Sequence, residues 1–289
     1  MSKSNRWLLE YAQNIYSQNG EDGILKKMLD TIPHNDKWCV EFGAWDGKHL
    51  SNTFRLVEEF GYHAVLIEGN PKKFKHLIKL QSDFNTIIPI NAFVGYGSNS
   101  LDNILKQVDI PKDFDIISID IDGNDYHVWS SIRDYKPKIV CIEYNSTVPN
   151  DVEFVQEKKM NVSQGSSLFS LKKLGESLGY ELVCVTVTNT IFVKKEFFPL
   201  FGIQDNSLNA LRPDRGIINY VFFGFDGTMF LHGAKKLPWH GIAIQHSKIQ
   251  QLPKCFRKYP GNMGKIRKFF FRLFRVLHNS NISISSLFK

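Results

Sequence analysis

The chain has 289 residues, 43% hydrophobic and 22% charged, with a formal net charge of +7. That composition is globular, enough for one large domain with appendages or for two small ones, and it excludes a disordered or fibrous chain. No apolar stretch reaches the roughly 18 residues needed to cross a bilayer. The opening MSKSNRWLLEYAQN lacks the apolar core and cleavage site of a secretory signal, so a cytoplasmic body is expected.

The charge is uneven. After Asp226 come twelve Lys and Arg and no acid, whereas residues 1–226 carry 24 basic and 29 acidic side chains, a net −5. A mildly acidic body with a basic tail argues against a nucleic-acid enzyme, whose footprint is a basic body. Cys39, Cys141 and Cys184 lie inside apolar runs with no CxxC spacing, as reduced core thiols do. The N-x-S/T sequons at Asn145, Asn161 and Asn281 read as chance matches.

In chain order, residues 5–29 read as helical, interrupted at SQNGEDG. Short apolar runs then predict strands at 38–42, 64–68, 86–90, 116–120, 139–144, 181–187 and 191–193. Between them, helical spacing of apolar residues covers 52–60, 72–80, 101–108, 126–132 and 167–178. Strands alternating with helices predict an α/β fold with a mostly parallel sheet of about seven strands, helices on both faces. YVFFGFDGTMFLHG predicts a hairpin turning at Asp-Gly. The expected organisation is an N-terminal helical cap over 1–35, a core over 36–200 and an extension over 201–289.

The first strand ends in EFGAWDG. A glycine turn there ordinarily cradles phosphate, but Glu41 and Asp46 repel phosphate and favour a cationic ligand. Glu68, twenty-two residues beyond Asp46, stands where dinucleotide folds hold a ribose diol. GxGxxG is absent, which argues against NAD. S-adenosylmethionine, with a ribose, an ammonium and a sulfonium, fits. Later strands end near Asn91-Ala92, in Asp120-Ile121-Asp122-Gly123 and in Glu143-Tyr144-Asn145.

EFGAWDG, LIEGNP, SQNGEDG, DIISIDIDGNDYHVW, PKIVCIEYNSTVP and GSSLFSLKKLGESLGYELVCVT together resemble FkbM-like class I S-adenosylmethionine-dependent methyltransferases over about residues 14–200. The resemblance implies a Rossmann-like fold and O-methylation of a sugar hydroxyl in surface-polysaccharide or other glycan biosynthesis, on a carbohydrate or lipid-linked acceptor. It implies Gly43 and Asp46 at the methionine portion, Glu68 at the ribose, Asn91 or Ala92 near adenine, and Gln18 and Glu21 closing over the cofactor. Glu41 and Asp120 complete the expected cofactor set. Ile121-Asp122-Gly123 departs from the family's valine-glutamate-glycine run.

For the chemistry, Asp120, Asp122 and His127 are the candidate catalytic residues, with His127 a base held by Asp122 or Asp125. Asp120, Glu143 and Asn145 offer oxygen ligands suited to Mg2+; the alternative is that they only hydrogen-bond the ligands. Tyr144, Trp129, Trp239 and His240 are candidates for an aromatic acceptor wall. Residues 264–278, GKIRKFFFRLFRVLH, read as an amphipathic basic helix, suited to an anionic membrane or to docking on the protein's own body or a partner subunit. A nucleic-acid methyltransferase and a non-catalytic binding protein are the competing functions.

Overall fold

A computed structural model describes residues 4–33, 36–212 and 216–285; Lys289, the end of the basic run, lies outside them, as does the side chain of Asn281. The chain forms two compact units, Met1–Arg215 and Gly216–Lys289. The first holds the expected cap and core together with residues up to 212. Its elements are α1 (Glu21–Leu29), β1 (Trp38–Phe42), α2 (Phe54–Phe60), β2 (His63–Ile67), α3 (Pro71–Asp83), β3 (Ile87–Ile90), α4 (Leu101–Leu105), β4 (Ile116–Ile119), α5 (Asp125–Trp129), β5 (Ile139–Glu143), α6 (Leu168–Ser177), β6 (Tyr180–Val185), β7 (Asn189–Lys194) and α7 (Leu208–Leu211).

The seven strands make one sheet in the order β3-β2-β1-β4-β5-β7-β6. β7 runs antiparallel to β5 and β6, and the other neighbouring pairs are parallel. The architecture is the Rossmann-like α/β fold, a mostly parallel seven-stranded sheet, that the sequence led one to expect. β-branched residues fill the central strands, and Val40, Ile116, Ile117, Ile139 and Val140 are completely buried, as strands covered on both faces must be. Cys39, Cys141 and Cys184 are buried free thiols.

Strand order reverses between β1 and β4, the point where open α/β sheets bind ligands beyond the carboxyl ends. Register fixes what stands there. Phe42 pairs with Ile67 and Ile119, Ile67 with Ile90, and Ile119 with Ile142. The next residue on each strand is therefore Asn91, Glu68, Gly43, Asp120 and Glu143, one row across the sheet. With strands ~4.8 Å apart, Glu68 and Glu143 stand ~14 Å from each other.

The opposite end of the sheet is electrically closed. Asp115 is wholly buried, with Lys138 Nζ 2.7 Å away and the Tyr62 hydroxyl donating at 3.1 Å.

The second unit contains the predicted hairpin, β8 (Asn219–Phe223) and β9 (Met229–Gly233), a small pair β10 (Lys236–Leu237) and β11 (Ile242–Ala243), and α8 (Lys265–Ser285). The Asp226 carboxylate accepts from the Thr228 amide inside the β8–β9 turn, and Gly227 supplies its positive φ of 80°. Among the described residues no helix is long and apolar enough to cross a membrane.

Candidate functional site

The loop after β1 begins at Gly43, whose φ is +75°. A Cβ there would lie 2.1 Å from the Asp120 carbonyl oxygen. The glycine thus permits the close approach of the β1 and β4 ends. Asp46 turns the loop: its Oδ1 accepts from the amides of Lys48 and His49 at 2.9 and 2.7 Å.

Glu68 braces this loop against the start of α3. Its Oε2 accepts from Trp45 N at 2.9 Å and its Oε1 from Asn70 N at 2.6 Å. Asn70 then caps α3, its side chain accepting from Lys72 N, with Pro71 at the first turn. Acid, glycine, cap and proline in LIEGNP therefore each have a mechanical reason. An ionised carboxylate has about four lone-pair sites, so two remain on Glu68 for a diol. Asn91 donates to the Glu68 carbonyl at 2.7 Å, and Ala92 beside it is half-buried.

Two aromatics that the sequence reading passed over stand at this end. Phe93 is 67% exposed, and its ring lies over the Gly69 backbone, where a Cβ would come within 2.2 Å of it. Trp45 is also exposed, with the Lys73 ammonium 4.9 Å above its ring. The signal was in NAFVG: a large aromatic just past a strand end, where a polar loop residue is usual.

Two acids in the expected cofactor set are engaged within the protein. Glu21 is fully buried; its Oε1 accepts from Thr186 Oγ1 and Asn189 Nδ2, and its Oε2 from Asn19 N. Glu41 accepts from Ser51 Oγ, Thr53 Oγ1 and Asn52 N. Burial pushes the Glu41 carboxyl upward against the pull of those donors. Both acids tie loops together. Gln18 is exposed, its carbonyl accepting from Asn14. In the same SQNGEDG segment, Asp22 Oδ2 gathers the amides of Ile15, Tyr16 and Ser17, which is why the N-terminal helical reading breaks there.

On the β4–β5 side the candidates separate. Asp120, Asp122 and Glu143 each offer a carboxylate oxygen within 4.8 Å of the others. Among the described residues, no Lys, Arg or His lies in ion-pair range of any of the three. Burial, then the charges of Asp125 and Asp122, raises Asp120 to about 7. Burial, then Asp120, raises Glu143 to about 9. Asp122 adopts a left-handed φ of 57°, a conformation that costs an L-residue about 1 kcal/mol and recurs where side chains are aimed at a task.

Asn145 is engaged in its own loop. Its Oδ1 accepts from Thr147 N and Oγ1 and its Nδ2 donates to Gln164 O, so it shapes the loop after β5; the third carboxylate beside Asp120 and Glu143 is Asp122. His127 is also placed differently. It is buried with Nε2 donating to the Gln156 carbonyl at 2.8 Å, and neither Asp122 nor Asp125 holds it. Asp125 instead accepts from the amides of Ile121 and Gly123, fastening the turn that presents Asp122. Tyr144 and Trp129 are core residues, the first donating to the Thr186 carbonyl beneath the Arg212 guanidinium, the second packed on Phe192. Trp239 is 65% exposed, in the second unit.

No protein-family model matches this chain, and no curated protein does. Solved structures resemble its path. The citrinin polyketide synthase CMeT domain aligns over 60% of this chain and 50% of its own length, at 14% identity and a TM-score of 0.43. The N-terminal domain of EvdMO1 with SAH bound aligns over 62% and 82%, at 11% and 0.40. M. jannaschii TYW2 in complex with AdoMet aligns over 63% and 79%, at 16% and 0.36. This chain thus spans half the length of the first, and likeness this faint transfers no property of those proteins.

Chemically, the row divides in two. One end offers a carboxylate with free lone pairs beside two open aromatic faces, suited to a nucleoside. The other offers three carboxylates with no cation of their own. Such a group holds a proton, a hard metal ion or an organic cation. Asp120, Asp122 and Glu143 are the residues that would hold Mg2+, with oxygen donors alone, as that ion requires.

Proposed function

We propose that this protein is an S-adenosylmethionine-dependent O-methyltransferase of the FkbM-like kind, acting on a sugar hydroxyl of a carbohydrate or lipid-linked glycan. One observation carries the reading. The mouth of the sheet gathers carboxylates without cations, whereas the buried acid at the other end of the same sheet is neutralised by Lys138. Carboxyl groups with no cation of their own in a crevice hold protons until a cationic ligand replaces them, and so favour such a ligand over a phosphate. A ribose held by Glu68, an adenine against Phe93 and a sulfonium toward Asp120 would span the row from its nucleoside end to its carboxylate end.

In the reaction, the acceptor oxygen attacks the methyl carbon as the carbon–sulfur bond breaks, and S-adenosylhomocysteine leaves. Positioning supplies most of the acceleration, since the donor is already activated. The acceptor's hydroxyl proton passes to Asp120, which burial and its acidic neighbours poise near neutrality, while Glu143, raised to about 9, keeps its own proton beside it. His127 has no part in this step. A bound Mg2+ would lower the hydroxyl's affinity for its proton.

The test is incubation of the full chain with methyl-labelled S-adenosylmethionine and glycan extracts, with and without a chelator. Label entering carbohydrate supports the reading, and loss of label on chelation adds the metal. Label entering RNA in place of carbohydrate replaces the acceptor, and no transfer to any acceptor refutes the function.

A further inference from the structure

The second unit, Gly216–Lys289, has one acid, Asp226, against twelve Lys and Arg. Its helix α8 presents three sectors. Phe271 and Phe274 pack on Phe256, with ring centroids 5.7 and 5.3 Å away. That contact answers how α8 attaches to its own unit, and it uses the narrower apolar sector. The wider one, Ile266, Phe269, Phe270, Leu273 and Leu277, is left 50–77% exposed. Lys265, Lys268, Arg272 and Arg275 fill the third sector and are exposed as well.

An open groove of about 970 Å³ runs beside the start of the helix. Phe256, Ile266 and Phe270 line it together with Lys258, Lys265 and Arg267. Bulky apolar side chains alternating with cations, and no acid among them, complement an amphiphile with a negative head. A soluble partner's apolar patch does not need that density of positive charge. At the tip of the hairpin, Phe223 and Phe225 are 68% and 93% exposed, a second apolar contact of the kind that stable peripheral attachment calls for.

We propose that the second unit is a membrane-docking module: α8 lies in the interface of an anionic phospholipid bilayer, its Ile266–Leu277 sector among the acyl chains and its Lys/Arg sector at the headgroups. The inference is independent of the methyl-transfer reading, since no residue of the sheet takes part.

The test is flotation of the full chain with vesicles of phosphatidylcholine alone and of phosphatidylcholine and phosphatidylglycerol in equal parts. The expected result is binding to the anionic vesicles, with little to the neutral ones. Raising NaCl from about 0.1 to about 1 M, which shortens the screening length from ~10 to ~3 Å, should release the protein. Arg272→Gln with Arg275→Gln should weaken binding about tenfold or more. Phe269→Glu with Phe270→Glu should abolish it, while circular dichroism stays unchanged because both positions face solvent. Equal binding to both vesicle types, or no binding to either, overturns the proposal. So does a chain that floats with neither but elutes as a dimer, dispersed by the double-Glu variant; α8 would then be a contact between copies.

Discussion

Phe93 separates ligand binding from stability more cleanly than any acid in the row. Its ring is two-thirds exposed and lies on a glycine, so truncation leaves no cavity. Stacking a base on an aromatic contributes about 1–3 kcal/mol. Phe93→Ala should therefore weaken S-adenosylmethionine binding about tenfold or more in a calorimetric titration and leave the melting temperature unchanged. Glu68 is a poorer probe, because it also secures the amides of Trp45 and Asn70; its removal lowers stability and affinity together. Glu143 gives the opposite sign. Its carboxyl is raised to about 9 in the folded protein, far above the unfolded value of about 4.3. Between those limits the native state binds the extra proton, so stability falls as pH rises toward about 9. Glu143→Gln removes that slope and should raise the melting temperature by about 2–4 °C at mildly alkaline pH, with no gain below the unfolded value. A wild-type melting curve flat across that range contradicts the assignment.

At the level of elements, the ends of β1 and β4 determine the shape of the mouth. Gly43→Ala puts a methyl group at a left-handed φ, which costs about 1–2 kcal/mol, and drives it into the Asp120 carbonyl. Denaturant titration should show a loss of several kcal/mol, about 3 or more on the scale of steric overpacking, and ligand binding should fall with it. Strand positions were legible in the sequence because each strand is a short β-branched run ending in a chemically distinct residue; the register then brings Asn91, Glu68, Gly43, Asp120 and Glu143 into one row. What the sequence hid was which of those acids have partners. Glu21 meets Thr186 and Asn189 across 165 and 168 residues, and His127 meets a carbonyl 29 residues away. No local pattern reports such contacts. Asn145 shows a different limit, since a carboxamide after a strand serves a turn as readily as a ligand.

Taken whole, the chain divides its charge between two units with different physical tasks. The first gathers carboxyl groups without cations inward at the sheet mouth; the second holds positive charge outward with its apolar sector bare. The first arrangement is the central claim, and proton linkage tests it. Asp120 and Glu143, raised to about 7 and about 9, retain protons near neutrality, and a cation bound between them must displace those protons. Calorimetric titration of the full chain with S-adenosylmethionine from about pH 6 to about pH 9 should show one site whose affinity rises with pH, by up to tenfold per unit for each proton released. S-adenosylhomocysteine, lacking the sulfonium charge, should show a flatter profile. An affinity that falls with pH, or no binding while a nucleoside phosphate binds instead, contradicts the account.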